Sequence, residues 1–144
     1  MKITSKYIYL FLTLVIFNGC GSNKIESSNF EVNSKYEQQL NDLEKGMVSY
    51  MKWAQPNYTQ SEVDQCIDIL KEYLHKMPKS KSHDEGMEIV KSTVLALNKL
   101  NQKCDTQLIE TGQRDQIANI IISAATDKGY TTMDGDVTEE WREW

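Results

Sequence analysis

Histidine is almost missing from this chain, and its scarcity sets a first limit. His75 and His83 are the only two, eight residues apart and near opposite sides of a polar loop. No His-Glu-x-x-His segment and no paired-cysteine spacing accompanies them, so no metal ligand set is expected. A Gly-x-Ser-x-Gly elbow is lacking too, which removes the usual nucleophile of an α/β hydrolase. Lys and Arg form no basic stripe: 16 of them face 21 Asp and Glu, a net charge of -5, the wrong sign for a nucleic-acid binder. No apolar run reaches the roughly 20 residues that a membrane-spanning helix needs. Proline occurs only at 56 and 78, and both positions read as helix ends. At 144 residues the chain is too short for a dinucleotide-binding domain joined to a substrate domain, or for a β/α barrel.

What is present begins with an address. Lys2 and Lys6 precede an apolar run from Tyr7 to Phe17, broken only by Thr13, and Asn18-Gly19-Cys20 follows. A run of this length matches the hydrophobic region of a secretory signal. Gly19-Cys20 resembles the cleavage site of a bacterial lipoprotein signal, in which a small residue precedes a cysteine that becomes acylated and N-terminal. That resemblance implies a signal peptide over residues 1–19, lipid on Cys20, and anchoring to a bilayer through several acyl chains. The alternatives are a secretory signal cut elsewhere or an uncleaved anchor. Gly21 stands where such lipoproteins often carry an inner-membrane retention aspartate, so the resemblance implies the outer membrane, facing the periplasm. Without residues 1–19 the chain holds 14 Lys and Arg against 21 Asp and Glu, a charge of -7. Residues 20–33 are polar enough to serve as a flexible tether, and residues 34–144 form the domain.

That domain reads as all-α, a small four-helix bundle with a short helical tail. Tyr36, Leu40, Leu43, Met47, Tyr50, Met51 and Ala54 recur at steps of three and four, the stripe of an amphipathic helix. Ser34 with Glu37, Thr59 with Glu62 and Ser82 with Glu85 each carry capping-box spacing. The second helix buries Val63, Cys66, Ile67, Leu70, Tyr73, Leu74 and Met77, and ends at Pro78. The third presents Met87, Val90, Val94, Leu97 and Leu100 or Asn101, with Ile89, Leu95 and Ala96 widening its apolar arc. The fourth starts near Thr111 or Gly112, buries Ile117, Ala118, Ile120, Ile121, Ala124 and Ala125, and stops at Gly129. After the turn at Asp134-Gly135, Val137 to Trp144 predicts one last capped turn docked through Trp141 and Trp144. Residues 95–144, closing on Asp-Gly-Asp-Val-Thr-Glu-Glu-Trp-Arg-Glu-Trp, resemble small bacterial helical proteins to which no activity is attached.

With Cys20 claimed by lipid, Cys66 and Cys104 remain as an even pair, expected to bond in an oxidising compartment. A simple hairpin sets Cys66 level with Leu95, so the bridge requires the third helix to end before Cys104, for instance over residues 98–101, with the chain turning back; a late start of that helix would serve as well. Two buried free thiols are the alternative.

Chemistry beyond this is sparse. Asp134, Asp136, Glu139 and Glu140 could offer oxygens to calcium, but miss the spacing of a calcium loop, and an exposed acidic tail is the plainer account. Neither an enzyme nor a cofactor is expected. Glu110, Arg114 and Asp115 concentrate charge where the chain turns, and Arg114 could pair with Glu110 or the tail. Trp53, Tyr58 and Tyr73 are interface-type aromatics, although each could equally cover the core, Trp53 above all. These residues, with Asp134, Asp136, Glu139, Glu140, Trp141 and Trp144, make up the candidate partner surface. The expected role is a protein-binding envelope lipoprotein, such as an immunity or inhibitor protein facing a basic toxin. A structural or accessory envelope lipoprotein and a small-ligand or calcium binder are the alternatives.

Overall fold

The computed structural model describes residues 32–144. The expected signal region, Cys20 and nearly all of the expected tether lie outside the described residues. Four helices follow one another: α1 (Ser34–Ala54), α2 (Gln60–Lys76), α3 (His83–Lys103) and α4 (Thr111–Asp127). A 3-10 turn, Met77–Lys79, extends α2. Among the described residues there is no strand, and no helix is long and apolar enough to cross a membrane.

The helices alternate in direction. Lys35 at the start of α1 meets Asp127 at the end of α4 at 2.8 Å, and Glu62 at the start of α2 meets Lys103 at the end of α3 at 3.2 Å. One pole therefore gathers the start of α1, the α2–α3 turn and the end of α4. The other gathers the α1–α2 and α3–α4 loops. Helix α2 packs against the other three, and α4 packs against α1 and α2. Leu43, Met47, Val63, Leu70, Val90, Val94, Leu97, Leu108, Ile117, Ile120 and Ile121 are fully enclosed between them.

The caps explain the helix ends, with two changes from expectation. Asn33, not Ser34, caps α1, and its side chain accepts from the amide of Lys35 at 3.0 Å. Asparagine reaches a first-turn N–H as well as serine does. Val32 packs against the core, so the folded part begins two residues before the expected boundary. Thr59 and Glu62 form the complete capping box. Ser82 accepts from Glu85 N at 3.2 Å, while the Glu85 carboxylate reaches Lys81 N instead of closing the box. At the end of α4, Gly129 adopts φ 82°. Its N–H donates to Thr126 O and that of Tyr130 to Ala125 O, the paired bonds of a Schellman stop.

Glu62 is the most strongly anchored carboxylate. The Thr59 hydroxyl, the Thr59 backbone N–H and Lys103 all favour its charged form and hold it at about 2, against an ordinary value of 4.5. A depressed folded-state value contributes stability that is complete above the unfolded value and is lost as pH falls through the folded one. The urea midpoint should therefore fall between about pH 5 and pH 2, and Glu62→Gln should flatten that part of the profile while lowering the midpoint at neutral pH.

The C-terminal segment is the single capped turn expected there, and not a longer helix. Residues 138–141 form turns, with Arg142 N donating to Thr138 O at 3.0 Å as a single helical turn. Asp136 caps it through Thr138 N at 2.9 Å and pairs with Arg142 at 2.5 Å. The segment climbs from Met133, beside Ser123 of α4, to α3. There Asn98 donates to Trp141 O at 2.7 Å and accepts from Glu143 N at 3.2 Å. Its backbone polar groups are thus spent on α3 rather than on a helix of its own. The cover it provides explains why Ile122 and Ser123 of α4 are buried beyond the predicted stripe, and why α4 is enclosed nearly all round.

Candidate functional site

The pole formed by the α1–α2 and α3–α4 loops carries most of the candidate residues. Three non-glycine residues adopt left-handed backbone there: Gln55 at φ 49°, Asp105 at 52° and Thr106 at 62°. Such conformations cost free energy and persist where surrounding bonds fix them. Gln55 ends α1, with its N–H on Met51 O. The Asp105–Thr106 pair is held by Thr106 N on Asn101 O at 2.8 Å, and by Asn57, whose side-chain amide donates to Asp105 and whose backbone N–H donates to Gln107 Oε1. The two loops are thus stitched to each other. Between them lies a shallow cavity of about 320 Å³, lined by Pro56, Asn57, Tyr58, Glu62, Lys103 and Cys104 among others.

Asn101 organises this pole from below. Its side-chain oxygen accepts from the buried amides of Leu108 at 3.1 Å and Ile109 at 3.0 Å. One amide side chain therefore replaces the two backbone partners that an irregular, buried loop would otherwise lack. Asn98, one turn earlier on α3, does the same for the tail. Neither asparagine was singled out from the sequence as an anchor. The available signal was an amide at each of two positions on an otherwise apolar helix face.

The aromatic residues divide sharply. Tyr73 is 1% exposed and donates to Ile121 O at 2.7 Å, so it is a core residue rather than part of a partner surface. Tyr58 is likewise buried, donates to Met47 O at 3.2 Å, and has its hydroxyl pushed up to about 12, chiefly by burial. Trp144 is buried, and Trp141 is half-buried against the core. These four bury their rings because the bundle is too small to close without them. Trp53 is the reverse: expected to cover the core, it is 73% exposed. Its ring stands edge-on to Tyr50, with centroids 4.9 Å apart. It falls one residue before the end of α1, beyond the reach of the stripe through Met47 and Met51. Leu95, expected on the buried arc of α3, is 47% exposed.

The charged candidates do not form one cluster. Arg114 makes no ion pair with Glu110 or with the tail, and its Nε is buried without a partner. Asp115, Asp134, Glu139 and Glu140 are exposed, while Asp136 is committed to Thr138 and Arg142. Among the described residues no three of His, Cys, Asp or Glu gather as a metal site. Around the loop pole, exposed carboxylates outnumber exposed cations: Asp64, Asp105, Asp115 and Glu143, which Gln102 holds at 2.6 Å, stand against Lys52, Lys99 and Lys103, and Lys103 is already paired with Glu62.

The expected Cys66–Cys104 bridge is not formed in this structure: both are free, buried thiols. Helix α3 does not stop near residue 98 but runs to Lys103, with Cys104 as its cap. The 3-10 turn and the extended stretch after it shift the hairpin register, so Glu62 pairs with Lys103 and Cys66 stands level with about residue 99 rather than Leu95. Burial, reinforced by Cys104, pushes the Cys66 thiol up to about 12, and burial raises Cys104 as well. Both are protonated at neutral pH and make poor nucleophiles.

No protein-family model, no curated protein and no solved structure matches this chain.

Proposed function

We propose that the chain is an envelope lipoprotein, anchored through acylated Cys20 on an outer membrane and facing the periplasm, that acts as a protein-binding module such as an immunity or inhibitor protein. Trp53 is the observation that carries the binding role. A tryptophan nearly three-quarters exposed, buttressed by Tyr50 at a pole rich in unpaired carboxylates, is an expensive feature for a small domain to leave in water. Tryptophan is also the residue most enriched among interface anchors. The carboxylates favour a basic partner, whose encounter they would accelerate.

Trp53→Ala should change the urea midpoint by no more than about 0.5 kcal/mol equivalent, because the ring covers no core. It should weaken capture of the cognate partner on immobilised protein by at least about 30-fold, the usual cost of losing an anchor. Equal capture by the variant and the parent chain would remove Trp53 from the binding role. Protection of sensitive cells against an antibacterial toxin distinguishes the immunity reading. Retention on purified sacculi would instead favour the structural or accessory alternative.

The address is tested separately. Intact mass of membrane-extracted protein should show loss of residues 1–19 and addition of acyl chains, and Cys20→Ser should abolish both the added mass and the membrane partition. The same spectrum reports on Cys66 and Cys104. An extracytoplasmic thiol oxidant that joined them would lower the mass by two hydrogens, and reductant would restore it.

A further inference from the structure

The opposite pole carries a groove of about 430 Å³, and it differs in chemistry from the acidic pole. Its floor is apolar, made by Leu74 of α2, Pro78 of the 3-10 turn, Ala124 of α4 and the ring of Tyr36. The one carboxylate in its lining, Asp127, is already committed. Lys35 reaches it at 2.8 Å and the Tyr36 hydroxyl donates to it at 2.6 Å.

Two cations at the rim are not neutralised in this way. Lys128 Nζ donates to the carbonyl of Pro78 at 2.9 Å, and Lys79, the residue after Pro78, lines the same groove. Lys79 Nζ lies 2.5 Å from His75 Nε2. Neither lysine has a carboxylate partner among the described residues. In a chain with surplus acid, two lysines lining one groove without a carboxylate partner make it attractive to an anion, which each could meet with a charge-assisted hydrogen bond. The groove is also of the size that encloses a small ligand.

We infer that this groove binds the phosphate of an anionic phospholipid headgroup between Lys79 and Lys128, with the glycerol and first methylenes of the lipid on the floor of Leu74, Pro78, Ala124 and Tyr36. The apolar floor is the reason to favour a lipid over a water-soluble phosphate, which would leave that surface uncovered. The groove also opens beside Asn33, where the chain enters α1, so a lipid bound there would hold this pole toward a bilayer and turn the acidic pole away from it. The site does not depend on acylation of Cys20 and stands or falls by itself.

Calorimetric titration separates the outcomes, using the chain from residue 20 with Cys20→Ser, which contains the whole described core. Dihexanoyl phosphatidylglycerol below its micelle concentration should bind saturably at one site. Dihexanoyl phosphatidylcholine and inorganic phosphate should each bind at least about tenfold more weakly. The double variant Lys79→Ala/Lys128→Ala should lose at least about tenfold in affinity for the phosphatidylglycerol. Lys45→Ala/Lys52→Ala, a charge-matched change on the exposed face of α1, should leave binding unchanged. Absence of saturable binding, or equal loss in both double variants, would overturn the site. Inorganic phosphate binding as tightly as the lipid would overturn the lipid assignment and leave a free-phosphate site.

Discussion

Replacing Asn101 with leucine should destabilise the bundle by on the order of 3 kcal/mol, although leucine matches the apolar surroundings better. The reason lies in the partners, not in the side chain itself. Leu108 and Ile109 are buried, and both direct their backbone N–H groups at Asn101 Oδ1. Removing that oxygen strands two donors away from water, at about 1–3 kcal/mol each, and partial relaxation of the loop returns some of it. Asn101→Asp keeps an acceptor in place and should cost much less at neutral pH. A urea series with unchanged slope would report the loss. Amide exchange at Leu108 and Ile109 should accelerate in the leucine variant before the helical core opens. Equal midpoints for the leucine variant and the parent would mean that the amides of Leu108 and Ile109 find other partners.

That dependence on two asparagines marks the limit of what the sequence could convey. The four helices were legible because each carries an apolar stripe at helical spacing and a chemical start or stop. Thr59 with Glu62 and Gly129 behave as their spacing predicts, since both depend on a few adjacent residues. What depends on chain segments far apart was not legible. The register of α2 against α3 turned on a 3-10 turn at Met77–Lys79 that no local pattern announces, and with it went the geometry proposed for Cys66 and Cys104. Leu95 was misassigned, and Trp53 was left between core and partner surface, for a related reason. Apolar character shows that a residue can be buried, but only the position of the neighbouring helices decides which one is. The tail was legible as a capped turn docked through its tryptophans, but its anchor was not, because the partner that satisfies its backbone, Asn98, lies 43 residues from Trp141.

The same tail yields the second large effect. Trp144→Ala should cost about 3 kcal/mol, in the range for truncating a buried aromatic, because the ring is 8% exposed and the segment it ends covers the outer side of α4. Trp144→Phe should behave quite differently. The indole Nε1 is buried without a hydrogen-bond partner, so the tryptophan already bears the cost of an unsatisfied donor. Phenylalanine gives up some packing volume but also removes that donor, and the two effects oppose each other. The expected net loss is about 1 kcal/mol or less, with the Arg142 guanidinium still able to lie over a ring as it does here at 5.8 Å from the centroid. A phenylalanine variant as unstable as the alanine one would show that the indole nitrogen is bonded in solution. The alanine variant also separates stability from recognition. Loosening the C-terminus should release Glu143, which Gln102 holds at 2.6 Å, from its place at the acidic pole while leaving Trp53 untouched. If carboxylates steer a basic partner and Trp53 holds it, the association rate should then fall and become less sensitive to salt, while the dissociation rate changes little.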